Sequence, residues 1–157
     1  MRDIQIIDNE TAFNYRVSGV VIKDNKILLN RLKSDDFWTF VGGKVAFGED
    51  SQKAIVREYF EETWANIKVE RLAACVENFF VFNAKRWHEI LFFYILKDDN
   101  EELDLFEGER EINDNSSGIY KWFDISQLDK VKIQPECSMQ IINNLNCQVF
   151  QHIINEE

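Results

Sequence analysis

Apolar and polar positions along the chain change period several times, and each change marks an element. The runs NYRVSGVVIK and KILLNR, rich in branched residues, meet at Asp24-Asn25 and predict a hairpin. FWTFVGGKV is a further apolar segment closed by Gly42-Gly43. Beyond Gly48 the spacing becomes helical, predicting a helix from about Ser51 to Trp64. IKVERLAACVENFFVF and WHEILFFYILK predict a second, longer hairpin turning at Asn83-Ala84-Lys85. A polar run over residues 98–114 reads as a solvated, mobile loop. After Ser116-Ser117-Gly118, IYKWF predicts a short strand, followed by a turn around DISQLD. Pro135 then opens a last helix, with Met139, Ile142, Leu145, Val149 and Ile153 at three- and four-residue spacing. Without an internal repeat or linker, the pattern describes one domain over 1–157, an α/β (α+β) fold in which helices flank a mixed β-sheet.

Composition supports a packed core: 45% of the 157 residues are hydrophobic, including 13 Phe, 4 Trp and 4 Tyr. The formal net charge of −10 argues against duplex nucleic acid or an anionic membrane as a main partner, because counterion release needs clustered Lys and Arg. Hydrolysis of long RNA ends fits poorly for the same reason. A small anionic ligand remains compatible if a metal ion bridges it. No apolar run has the length of a signal peptide or a membrane span, so a cytoplasmic location is expected. Cys75, Cys137 and Cys147 form no C-x-x-C pair and read as small hydrophobes in a reducing compartment. His88 and His152 are isolated and read as structural or surface residues.

On a helical wheel the predicted helix places Ile55, Val56, Tyr59, Phe60, Thr63 and Trp64 on a core side, and Glu58, Glu61 and Glu62 together on the other. Three carboxylates so close repel one another. An Arg57–Glu61 pair across one turn is worth only about 0.3–0.5 kcal/mol and cannot neutralise them. A hard dication such as Mg²⁺ or Mn²⁺ could, by sharing carboxylates with substrate phosphates. A Glu-rich solvated helix face is the plainer reading for EYFEE alone.

The wider spacing decides between them. From Gly43 the chain reads GKVAFGEDSQKAIVREYFEETWA: Gly43, five residues, Glu49, seven residues, Arg57-Glu58, two residues, Glu61-Glu62. Six fixed positions of this kind arise by chance in a chain of this length on the order of once in 10⁵. The segment resembles the box of the Nudix hydrolase family (MutT-like), departing from it at Tyr59, Trp64 and Ala65. A left-handed residue normally follows a helix at the glycine that Trp64 replaces, and for Trp that conformation is costly, so the helix is expected to run on or end differently.

The resemblance implies an α/β/α sandwich with a mixed sheet, and Mg²⁺- or Mn²⁺-dependent hydrolysis of the pyrophosphate linkage in a nucleoside diphosphate joined to another moiety. It implies Glu58, Glu61 and Glu62 as metal ligands with the main-chain carbonyl of Gly43. Arg57 would hold a glutamate by a salt bridge, Glu49 would brace loop and helix, and Glu58 or Glu61 would act on the attacking water. Glu89, Glu109 and Glu111 are candidate bases outside the box. Glu89 and Trp38 are candidate substrate contacts, and Phe37, Phe79, Phe80, Phe82 and Trp87 could add a stacking surface. The rival is a catalytically weak or inactive nucleotide-binding or regulatory module on the same fold. Leftover strand edges and surplus aromatics would allow a homodimer.

Overall fold

The computed structural model describes residues 2–112 and 115–156. Residues 1, 113, 114 and 157, which include the end of the acidic run, lie outside the described residues. The elements follow as β1 (Gln5–Ile7), β2 (Thr11–Lys23), β3 (Lys26–Leu32), β4 (Thr39–Phe40), β5 (Gly42–Lys44), α1 (Ser51–Thr63), β6 (Lys68–Phe82), β7 (Lys85–Lys97), β8 (Arg110–Ile112), β9 (Asn115–Asp124), α2 (Ser138–Asn143) and β10 (Gln151–Glu156), with a 3₁₀ turn at Ile125–Lys130.

Both predicted hairpins form. Asp24 and Asn25 turn the first with φ of 49° and 60°, and Asn83 and Ala84 turn the second with 50° and 59°. Such paired left-handed residues match the twist of the strands they join, and Asp and Asn tolerate them best. The main path of the sheet runs β10-β6-β7-β2-β3-β9-β8. β2 lies parallel to β7 and β10 parallel to β6, while the other pairs are antiparallel, so the sheet is mixed as expected.

One irregularity positions the site. β2 and β3 share only the pairs Ile22↔Ile27 and Lys23↔Lys26 before they splay apart. β5 takes the freed edge, pairing Arg16↔Lys44, Val17↔Gly43 and Ser18↔Gly42. A β-carbon at Gly42 would strike the main chain of Val17, so only glycine permits this approach.

Strand alternation sends apolar side chains to both faces. On one, Val17, Leu28, Tyr94 and Leu96 pack with Ile55 and Tyr59 of α1. On the other, Val20, Leu29, Leu91 and Phe93 pack with Ile141 and Ile142 of α2. Full burial of an aliphatic side chain such as Ile55 contributes roughly 2 kcal/mol.

Several sequence expectations change. The buried side of α1 comprises Ala54, Ile55, Tyr59 and Glu62, whereas Phe60 and Trp64 are exposed. The helix is therefore rotated so that Glu62 enters the buried side, while Glu58 is half-buried and Glu61 stays exposed. The acidic run is anchored: Leu103 is buried, Leu105 and Phe106 pack beside it, and the Lys23 ammonium donates to the Leu103 carbonyl (2.6 Å) and to Asp98 (3.3 Å). The C-terminal helix stops at Asn143, and Ile153 serves β10 instead. Its side chain enters the second cluster while its neighbours His152 and Ile154 face outward, a period of two in place of 3.6. Cys147 is likewise exposed, not a buried hydrophobe.

The helix carrying the motif begins at Asp50, whose carboxylate accepts from the Lys53 amide (2.9 Å). It ends where a motif glycine would end it. Trp64 itself adopts the left-handed conformation (φ 63°, ψ 7°), with its amide donating to the Phe60 carbonyl (2.8 Å). Its ring meets Phe60 edge-on and stays 64% exposed. The strain of a left-handed β-carbon costs roughly 1 kcal/mol and vanishes in glycine. Trp64→Gly is thus expected to be about 1 kcal/mol more stable than Trp64→Ala in urea titrations, since both lose the ring contact and only one keeps the strain.

Candidate active site

The guanidinium of Arg57 organises the acidic face of α1. Its Nε and Nη2 donate to the two oxygens of Glu49 (2.8 and 3.0 Å), Nη1 donates to Glu58 (2.7 Å) and Glu61 (3.1 Å), and Nη2 also reaches the carbonyl of Lys44 (3.1 Å). Glu49 completes the loop by accepting from the Ala46 amide (3.2 Å). One planar fork thereby ties the β5–α1 loop to the helix, a geometry lysine cannot supply.

These contacts set the acidities. The Arg57 hydrogen bonds hold the Glu49 carboxyl below its ordinary range, against the opposing effect of burial. Burial raises Glu58, with Arg57 pulling the other way and the neighbouring Glu61 adding repulsion. Gly43 lies directly against Glu58: a β-carbon there would collide with its carboxylate. The glycine at this position thus makes room for an acidic group, a role beyond turning the chain.

The three motif glutamates do not converge. Glu62, 8% exposed, accepts from the Asn30 amide (2.7 Å), and Asn30 in turn accepts from the Thr39 hydroxyl (2.7 Å). Among the described residues no three His, Cys, Asp or Glu side chains are grouped as a ready metal site. Glu58 and Glu61, which share one guanidinium, still form an all-oxygen pair beside a glycine, a donor set suited to a hard dication that completes its shell with water and phosphate.

Beside this cluster lies a cleft of about 680 Å³. Arg16 and Lys44 bring positive charge to it, Lys132 is paired there with Asp36 (2.7 Å), Phe37, Phe80, Phe82 and Trp87 bring aromatic surface, and Asn14 and Glu89 bring buried polar groups. The substrate contact expected at Glu89 therefore lines the cleft. Trp38 does not. Alternation turns Phe37 and Thr39 toward the cleft and Trp38 the other way, where it packs edge-on with Phe123 (4.9 Å) beneath the Arg31 guanidinium. Glu109 and Glu111 pair instead with Arg31 of β3 and Lys33 in the turn just after it. Phe79 packs against His88, and the second histidine, His152, meets Glu77 at 2.8 Å.

Sequence reasoning passed over Asn14, Arg16, Asn30 and Asn78. Each interrupts an apolar strand at a position facing inward, and that interruption is the signal that could have found them.

The spliced edge of β5, the capped helix with its Arg57-centred carboxylates, and the cationic cleft define a hydrolase of the Nudix type. The NUDIX domain model matches residues 13–141, and the chain belongs to that family. It is 32% identical over 123 residues, 76% of this chain and 67% of the other, to the ADP-ribose pyrophosphatase of Methanocaldococcus jannaschii. It is 27% identical over 138 residues, covering 85% and 94% of the two chains, to the 8-oxo-dGTP diphosphatase of Buchnera aphidicola subsp. Schizaphis graminum. The fold is that of a Nudix hydrolase from Nitrosomonas europaea, with a TM-score of 0.62 at 18% identity over 96% of this chain and 82% of that one. No helix among the described residues is long and apolar enough to cross a membrane.

Proposed function

We propose that the protein hydrolyses the pyrophosphate linkage of a small nucleoside diphosphate joined to another moiety, using Mg²⁺ or Mn²⁺. The observation that carries this reading is the pair Glu58 and Glu61 on one guanidinium beside Gly43, at the border of a cationic, aromatic cleft. The names of the two relatives, both acting on nucleotide phosphoanhydrides, support it.

Arg16 and Lys44 draw the diphosphate into the cleft and offset its charge. Glu58, Glu61, Glu62 and the Gly43 carbonyl would hold the dication, which would supply the charge that offsets the phosphate oxygens. Either Glu58 or Glu61 would orient the attacking water or take its proton. Arg57 keeps its neighbouring carboxylates in register, and Glu49 keeps Arg57 in place.

The test is a screen of ADP-ribose, NADH, diadenosine polyphosphates and nucleoside triphosphates, with and without Mg²⁺ or Mn²⁺. Metal-dependent release of nucleoside monophosphate or phosphate is the expected result. A second reading, a binding module without turnover, is favoured by the engagement of Glu62 with Asn30. It would prevail if these compounds raised the melting temperature yet yielded no product.

A further inference from the structure

The register of the sheet places five polar side chains in one line. Gln5 is opposite Asn14, Asn14 opposite Glu89, Glu89 opposite Asn78 and Asn78 opposite Asn155, so the row crosses β1, β2, β7, β6 and β10. Four of them, Gln5, Asn14, Glu89 and Asn78, line the cleft, and the last three are each only 5% exposed. Such inward positions are ordinarily apolar, because a buried polar group costs stability unless it is hydrogen-bonded.

The row is short of donors. The Asn155 amide donates to Asn78 (2.8 Å), and the Asn78 amide reaches Glu89 at 3.3 Å. The other Glu89 oxygen lies 3.9 Å from Arg16, too far for a hydrogen bond. A carboxylate with about four acceptor positions thus receives one long bond. The carbonyl oxygen of Asn14, next in line, is buried without any partner, as is the Nε donor of Arg16 nearby. A phosphate could meet Arg16 but not the Asn14 and Glu89 oxygens, since it brings acceptors and negative charge. A group bearing two N–H bonds can meet both.

We propose that Asn14 and Glu89 read an exocyclic amino group on the substrate's nucleobase, so that the cleft selects adenine- or cytosine-type bases over their oxo counterparts. This deepens the proposed function and rests on its reading of the cleft as a nucleotide site. The base would lie over the acceptor row against Phe80 and Trp87, whose ring planes are parallel within 6°. The diphosphate would then extend past Arg16 and Lys44 toward the α1 glutamates, away from the Glu89 charge.

The experiment compares binding of AMP with IMP and of CMP with UMP, without metal, by calorimetry. The parent should favour each amino-bearing nucleotide by at least about 10-fold. Asn14→Leu should cut that preference below about threefold. It should also leave the melting temperature of the free protein unchanged or raise it by about 2–4 °C, because an orphaned acceptor has been removed. Glu89→Gln, which presents a donor beside the acceptor, should move the preference toward IMP and UMP, and it carries the test should the leucine variant fold poorly. Equal affinities in the parent, or a preference that survives both substitutions, would overturn the assignment. Because the readout is binding, a parent that discriminates AMP from IMP but hydrolyses no diphosphate defeats the proposed function and leaves this inference standing.

Discussion

Glu58→Gln and Glu61→Gln are each expected to lower turnover of a diphosphate substrate at least about 10²-fold in saturating Mg²⁺. The amide keeps the size of the carboxylate and can still accept from Arg57, so the melting temperature should stay within about 2 °C of the parent. The loss should fall on kcat more than on KM, because Arg16 and Lys44 continue to hold the diphosphate. Steady-state kinetics on both variants, beside circular dichroism, makes the comparison. Parental rates in both would remove the helix carboxylates from the chemistry.

Replacement of Arg57 carries the largest expected loss of stability. Its five hydrogen bonds to Glu49, Glu58, Glu61 and Lys44 disappear in Arg57→Met, and three carboxylates are left to repel one another. Stranding partly buried charges in this way costs about 3 kcal/mol, or roughly 6–12 °C in melting temperature for a chain of this size. Arg57→Lys restores charge without the fork and should recover less than half. A melting temperature within 2 °C of the parent would show that the fork adds no stability. The acid limb provides a second readout. Arg57 lowers the Glu49 pKa, so the folded protein binds fewer protons there than the unfolded chain. That contribution is complete above the ordinary value near 4.5 and is lost as pH falls through the lowered one. Arg57→Met should therefore flatten the decline in stability at acid pH.

Much of this site was legible before any coordinates. The spacing from Gly43 to Glu62 gave the loop and the helix, because a motif of charged residues at fixed intervals reports local geometry directly, but it paired Arg57 with Glu61 and did not reveal that the same guanidinium grips Glu49. The two hairpins were equally plain from their Asp-Asn and Asn-Ala turns. What failed was whatever depended on packing between distant segments. Phe60 and Trp64 looked like core and are exposed, while Glu62, read as a metal ligand on the side away from the core, is buried against Asn30, thirty-two residues earlier. Helical spacing held from Met139 to Ile142 but was accidental beyond Asn143, since the exposed edge of β6 captured Gln151–Glu156 as a strand. Trp38 and Phe37 differ only in strand parity, which composition cannot reveal.

The parallel docking of β10 has a consequence for the solution behaviour of the molecule. It covers Ala74 to Phe79 along the rim of a fifteen-residue strand, and Val81 and Phe82 beyond it are already exposed. If the last residues were trimmed or frayed, a bare backbone ladder flanked by aromatic side chains would face outward, the kind of template on which chains add to one another. The six residues from Gln151 to Glu156 thus act as a selvedge along that stretch of β6, leaving the one short strand β10 as the outer rim there.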